Sequence, residues 1–398
     1  MRKHKTMKLL KLIKSYLRDW LIILEIYQSK TGRFMVSKVA NWWRKPWVYI
    51  LYVSDYKLIV DKNSHGGLSA CTHQNQREID VIVRSYNRLG YNVYVNNWNK
   101  KPYFPHVNVR IVMGVEPYFE HVCSKYRSAK KIYYATTSYY VHQNNQIIIM
   151  TDYANRRYGI DIPYERIIQP HKGVEIADDV LCIGSKYSIQ TYPEVYQCKM
   201  KLIHQSSLVD NKKEILLGNK KHYFFMASVG NMLRGIPLLI EYFAANPDKT
   251  LHWVGELDDD FMNNYKDIVP SNIHFYGWVY ADSHKMQEIV SHANFILYPS
   301  GSEGGCPGSV INGMKYGLIP IVTQWAASDE MDKYGYVMKE WSVDAISEAI
   351  NEAESLSKEE ILQKKHAVAE YAHEMFSIQR FEIEFRNFLT DVGIYEVS

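Results

Sequence analysis

The residue types able to do chemistry concentrate between Tyr298 and Thr323, YPSGSEGGCPGSVINGMKYGLIPIVT. A small-residue loop, Ser300 to Cys306, carries one carboxylate, Glu303, with no obvious cation beside it in the sequence. Its glycines, Gly304 and Gly305 among them, let a ligand approach the backbone closely. Pro307 fits the first turn of a short helix, whose unpaired N–H groups and positive potential suit an anion such as a phosphate. Apolar runs ending at Tyr298 and spanning Leu318 to Thr323 read as buried strands on either side. Strand, glycine-rich loop, helix and one carboxylate suit an anionic, hydroxylated ligand of the nucleotide-sugar kind. A structural βαβ crossover with a glycine-rich turn has the same pattern, and pattern alone leaves both readings open.

The elements that must position these groups alternate between strand and helix from Trp47 onward. Val48–Val53 reads as a strand and Leu58–Val60 as a second short one. The polar loop Asp61 to Gly67, with its pair Gly66-Gly67, leads into a helix closed by Gly90 and the strand Tyr91–Val95, a first βαβ unit. The strands Val109–Met113 and Lys131–Ala135 follow, and TTSYYVHQNNQ after Ala135 reads as a polar loop holding His142. Such loops, at the C-terminal ends of parallel strands, are where ligands bind in these sheets. Arg156 and Arg157, with Arg166 nearby, form a basic patch that could meet an acceptor phosphate or be a solvated charged face. Val180–Gly184 is a further strand, and residues 199 to 222 read as a connection into a second domain. There Tyr223–Val229 is followed by a loop containing Arg234-Gly235, then by strands Leu251–Gly255, Ile273–Gly277 and Phe295–Tyr298. Phe381, Phe385 and Phe388 fall at i, i+4 and i+7, an apolar stripe that reads as core packing.

At 398 residues the chain has room for two cores, and 46% hydrophobic with 23% charged residues excludes a disordered polymer. The net charge of +4 is mild and concentrated at the N-terminus, so no nucleic-acid partner follows. Five dispersed cysteines without metal-ligand spacing fit a reducing cytoplasm, and no zinc site is expected. Lys5, Lys8, Lys11, Lys14 and Arg18 share one face of an N-terminal helix, while Leu9, Leu10, Ile13, Leu17, Leu21 and Leu24 lie largely on others. The apolar run Trp20–Leu24 is too short to span a bilayer. This segment reads either as an interfacial helix on an anionic cytoplasmic leaflet, helped by Trp42, Trp43 and Trp47, or as a helix packed on the first domain.

The stretch around Glu303 resembles the donor-site signature of retaining glycosyltransferases of the GT-B fold. That family carries two glutamates separated by seven residues, then Ala-Met and a small-residue turn. Glu303 matches the first glutamate, which the resemblance implies contacts donor-sugar hydroxyls; Met314 and Gly317 match the later Met and Gly. Asn312 stands where the second, ribose-binding glutamate would be, and the loop has one extra residue. The resemblance implies that Arg234 contacts the donor diphosphate, with no second basic residue in its loop, where only Ser228 and Asn231 stand. It also places Gly277 and Trp278 at the nucleobase and Gly66-Gly67 on an inter-domain cleft. His142 would orient the transferring sugar or its diphosphate. Gly304, Gly305, Ser309, Val310 and Asn312 would hold the donor, and His73, Asn75 and Arg157 would face the acceptor side.

The expected fold is therefore α/β of GT-B type, with two Rossmann-like domains facing a cleft. The expected segments are an N-terminal extension (1–47), a first domain (48–205), a donor domain (206–375) and a last helix (376–398) crossing back to the first. The expected activity is transfer of a sugar from a nucleotide-diphosphate to a hydroxyl of a glycan or lipid-linked acceptor, with retention, in bacterial surface polysaccharide assembly. No metal or other cofactor is expected, because a helix N-terminus and Arg234 would take the ion's place. A sugar-nucleotide epimerase of the same fold and a non-catalytic assembly partner are the alternatives. An NAD-dependent enzyme is disfavoured, since no G-x-G-x-x-G follows a first strand.

Overall fold

The computed structural model describes residues 2–23, 34–53, 73–227, 230–256 and 263–397. The pair Gly66-Gly67 and the expected strand Leu58–Val60 lie outside these residues. The chain divides into two compact units. The first comprises Met1–Tyr134, His171–Leu181 and Glu382–Ser398; the second comprises Ala135–Pro170 and Cys182–Phe381.

A seven-stranded sheet is built from β1 (Phe34–Ser37), β2 (Trp47–Tyr52), β3 (Asn92–Asn97), β4 (Val109–Gly114), β5 (Lys130–Ala135), β6 (Asp179–Ile183) and β7 (Met200–Ile203), in the order β1-β3-β2-β4-β5-β6-β7. The pairings β3–β2, β2–β4 and β4–β5 are parallel, and β1 adds an antiparallel edge. Strand β2, WVYILY, is buried at every position, as expected of a parallel strand covered on both faces. Trp47 is therefore a core residue, 3% exposed, and cannot help an interfacial helix as the sequence suggested. The four residues of β7 were read as connection; MKLI is too short for its alternation to register as a strand.

The second sheet is parallel throughout. It holds β8 (Asn219–Met226), β9 (Thr250–Val254), β10 (Ile273–Phe275), β11 (Ala293–Tyr298), β12 (Ile319–Thr323) and β13 (Tyr336–Met338), in the order β10-β9-β8-β11-β12-β13. Counted from β8 this is 3-2-1-4-5-6, the doubly wound order. The connections leaving β8 and β11 run to opposite sides, so a crevice opens beyond the C-terminal ends of these two neighbours. That crevice is where the loops carrying Arg234 and Glu303 begin.

One helix bears on the site. Tyr140–Tyr158 begins inside the stretch read as a polar loop. No glycine or proline interrupts the chain there until Gly159, which ends the helix in the left-handed region at φ 67°. His142 thus sits in a first helical turn. The last helix, Ile378–Asp391, buries Phe381, Phe385 and Phe388 as its stripe predicts. The Phe385 ring meets Tyr86 of the first unit edge-on at 5.9 Å.

A histidine cluster lies at the β8–β10 side of the second sheet. His252 is 4% exposed, with Nε2 3.0 Å from His222 Nδ1 and Nδ1 2.8 Å from Tyr276 Oη. Its ring stacks on His292 at 5.2 Å and meets His274 at 5.8 Å. Burial, with His222, His292 and His274 around it, pushes its pKa down to about 3. In the unfolded chain a histidine titrates near ~6.5, so below that pH the unfolded state takes up a proton that the folded state refuses. Stability should fall as pH drops from about 6.5 toward the folded value, and His252→Gln should flatten that slope. Denaturant midpoints across this range, wild type against variant, check it; equal slopes would contradict the assignment.

Candidate functional site

The site is assembled from two loops of the second unit. After β8 the chain passes Gly230 and reaches Arg234-Gly235, where Gly235 is the N-cap of the helix Ile236–Ala245 with φ 74°. A Cβ on Gly235 would lie 2.1 Å from the Pro299 carbonyl oxygen, so only glycine allows the loop after β11 to come this close. The two loops are then tied together. Gly301 N–H donates to Leu233 O at 2.9 Å, and the Trp341 indole N–H donates to Pro299 O at 2.6 Å.

Held this way, the Arg234 guanidinium meets the Glu303 carboxylate, Nη1 on Oε1, with side chains only 14% and 12% exposed. The expectation that Glu303 lacks a cation is overturned. The cation comes from the loop after β8, adjacent in the sheet but distant in sequence. Tyr298 Oη lies 3.3 Å from the same Oε1. Ser300 Oγ lies 2.9 Å from Oε1 and 3.0 Å from Leu233 O, and its one hydrogen serves either. Arg234, Tyr298 and Ser300 thus converge on the same oxygen, Oε1. The backbone of Glu303 is fixed as well: the Ser138 hydroxyl donates to its carbonyl, and a Cβ on Gly304 would lie 2.3 Å from Thr136 O.

A second guanidinium reaches the same place. Arg166 has a left-handed backbone, φ 58°, and its side chain packs over Gly230, where an added Cβ would lie 2.2 Å from Nη1. Burial raises the Tyr298 phenol pKa, while Arg234 and then Arg166 pull it the other way, so both cations are felt at this tyrosine. The sequence had grouped Arg166 with Arg156 and Arg157. Instead Arg157 points to the surface, with Nε 3.1 Å from Glu241 Oε2 and its side chain 52% exposed. No local signal in the sequence links Arg166 to the loop after β8.

His142 joins the site through the backbone: its Nε2 is 3.2 Å from Gly301 O, and its ring lies 5.4 Å from Trp325. A carbonyl can only accept, so Nε2 carries the hydrogen and Nδ1 is left as an acceptor. Burial lowers the His142 pKa, which keeps the ring neutral at neutral pH.

The other expected residues distribute as follows. Pro307 is the N-cap of the helix Gly308–Lys315, one position before the first turn. The first intrahelical bond runs from Ile311 N–H to Pro307 O, leaving the amides of Gly308, Ser309 and Val310 without an acceptor inside the helix. The Val310 side chain is fully buried. Asn312 is 5% exposed and its Oδ1 accepts from Leu208 N–H at 3.2 Å. Gly305 packs against Gly184. Gly277 adopts φ 67°, and the Trp278 that follows is 59% exposed. In the first unit, His73 caps the helix Gln74–Arg88, its Nδ1 accepting from Asn75 N–H at 3.3 Å. Among the described residues no group of three or more His, Cys, Asp or Glu is placed to hold a metal ion, and no helix is long and apolar enough to cross a membrane.

Comparison with known proteins places this geometry. Residues 220–355 match the family model described as Glycosyl transferases group 1. HepE of Anabaena, solved with UDP and glucose, is 10% identical with a TM-score of 0.53, over 87% of this chain and 100% of that one. The lipopolysaccharide outer core galactosyltransferase WaaB, in its apo form, is 12% identical with a TM-score of 0.50, over 87% of this chain and 99% of that one. The match to S. aureus TarM, 13% identical with a TM-score of 0.48, covers 71% of this chain but only 55% of TarM. No curated protein matches the chain in sequence. The chain has the GT-B fold, and its segment 220–355, holding both Arg234 and Glu303, matches the glycosyl transferases group 1 model.

Proposed function

We propose that the protein transfers a sugar from a nucleoside diphosphate to a hydroxyl of a glycan or lipid-linked acceptor, with retention of anomeric configuration. The Arg234–Glu303 pair at the sheet's switch point, inside the matched segment, carries this reading. Support also comes from the neighbours of the same fold, one of them solved with UDP and glucose and another named as a lipopolysaccharide galactosyltransferase.

In this reading Oε1 of Glu303 is engaged by protein and Oε2 accepts hydrogen bonds from the donor sugar. During transfer the bond from the anomeric carbon to the diphosphate oxygen breaks and negative charge gathers on the leaving diphosphate. The acceptor oxygen bonds to the anomeric carbon and its hydroxyl proton passes to the leaving diphosphate oxygen. Arg234, Arg166 and the free amides at the start of the helix Gly308–Lys315 stabilise the leaving charge, so the reading needs no divalent ion. His142 is a positioning residue, holding the carbonyl of Gly301 two residues before Glu303. The base is the province of Gly277 and Trp278, and the acceptor that of the first unit with His73 and Asn75. The setting is assembly of a surface glycan.

Thermal stability with a panel of nucleoside diphosphates and their sugar esters tests this. A ligand at a hundredfold excess over its dissociation constant stabilises the fold by about 2.7 kcal/mol. One nucleoside should raise the melting point of the wild type. Arg234→Ala, and Arg166→Asn (which tolerates the left-handed backbone), should each weaken its diphosphate by roughly ten- to a hundredfold. A folded wild type that no member of the panel stabilises would overturn the reading.

Glu303→Gln should behave differently, because it removes the sugar's acceptor yet releases Arg234 from its partner. Free nucleoside diphosphate should bind as well as to wild type or more tightly, while the extra stabilisation from the attached sugar is lost. Equal weakening of both ligands would mean that Glu303 does not face the sugar.

A further inference from the structure

The N-terminal helix Arg2–Ile23 belongs to the first unit and presents its sides in an inverted way. Its anchor is a carboxylate. Asp19, 3% exposed, accepts from the Tyr103 hydroxyl at Oδ1 and from His106 N–H at Oδ2, 3.2 Å away, and His106 Nδ1 meets the same Oδ2. The Tyr16 ring stacks on His106 at 4.6 Å, and the Arg18 guanidinium lies 5.1 Å from the Tyr103 ring centre. Leu10, Ile13, Leu17 and Trp20, by contrast, are 51%, 54%, 60% and 55% exposed. Their spacing of i, i+3, i+7 and i+10 makes them one stripe. Trp43, which meets Trp42 edge-on, is 65% exposed, and Trp42 in turn meets Trp20. A helix packed only for stability would turn this stripe inward and its carboxylate outward.

From this we infer that the stripe is a docking surface for an anionic phospholipid bilayer, on which the helix lies in the plane of the interface. The charge pattern selects that occupant. Every charged residue before Asp19 is Lys or Arg, and Lys11, Lys14 and Arg18 are exposed alongside the stripe. Such a rim meets phosphate headgroups favourably while the apolar residues enter the acyl boundary. A second copy of the chain would bring the same cations against each other. The length and hydropathy of the helix do not suit a span, so it lies on the membrane and does not cross it. This inference concerns where the protein sits and does not depend on the reading of the site above.

The test is co-flotation of the full chain with vesicles of phosphatidylcholine alone or mixed with phosphatidylglycerol, at low and high salt. The wild type should float with the mixed vesicles only, and less at high salt. Ile13→Ser/Leu17→Ser, in exposed positions that leave Asp19 in place, should lose flotation while keeping the wild-type melting point. Lys11→Glu/Lys14→Glu should lower binding by roughly tenfold or more. Absence of wild-type flotation at low salt, or an Ile13/Leu17 variant that floats equally well, would overturn the proposal. So would sedimentation showing a wild-type dimer that the Ile13/Leu17 variant splits, since the stripe would then be covered by a second copy.

Discussion

The arrangement of the second unit depends on one buried charge pair, Arg234 with Glu303. At 14% and 12% exposure neither side chain could keep its charge alone without a cost of several kcal/mol. Each is on a different loop, so the loops must be held in register, and the surrounding contacts do that. Gly235 admits Pro299, Trp341 grips the Pro299 carbonyl, and Gly301 bonds back to Leu233. The sheet order explains why these two loops meet at all. Strands β8 and β11 are neighbours whose connections depart to opposite sides, which leaves the crevice unfilled by either crossover.

A pair of this kind is poor evidence for a stability role. Well-packed apolar residues in the same volume commonly serve a fold as well or better. The polar groups gathered at Oε1, including Ser300 and Tyr298, make more sense as preparation of a carboxylate for a ligand on its other oxygen. Arg166 strengthens that argument because it holds a left-handed backbone and lies against a glycine in the same loop region. Both guanidinium groups are felt at Tyr298, beside the Glu303 carboxylate, a setting that suits a ligand bearing negative charge and hydroxyls together. Arg166 lies outside the segment 220–355 that matches the family, so this feature belongs to the chain as a whole and not to the matched segment alone.

Much of this was legible in the sequence because it was written in local patterns. The strands of the second sheet carry apolar runs, YFFM in β8, FILY in β11 and IPIV in β12, and Glu303 and Arg234 each stand in a loop that follows such a run. What remained hidden was contact across sequence distance. Glu303 seemed to lack a cation because its partner follows β8, and only the strand order brings the two together. The same holds for Arg166, whose neighbours in sequence, Arg156 and Arg157, suggested a surface patch. His142 was placed in a loop because its stretch is polar, yet the absence of glycine or proline from Tyr140 to Tyr158 lets helix prevail. At the N-terminus, periodicity separated the lysines from the leucines correctly. It could not tell that Asp19, the first acidic residue, is the anchor, since that follows from Tyr103 and His106 in a distant loop.

Asn312 shows how a departure from a family pattern can be absorbed structurally. The position is 5% exposed, and its Oδ1 accepts from the Leu208 amide. Three residues on, Lys315 Nζ donates to the carbonyls of Val209 at 2.9 Å and Phe376 at 3.1 Å. The buried face of the helix Gly308–Lys315 is thus stitched to the segment 208–209 by one neutral and one charged side chain. An anion at 312 would have to be desolvated and paired, at a cost of several kcal/mol if unpaired, whereas an amide meets the Leu208 N–H without that burden. With its carbonyl oxygen engaged in this way, Asn312 anchors the helix whose first amides have no acceptor inside it. Its effect on any ligand at that N-terminus is then exerted through the helix it fixes.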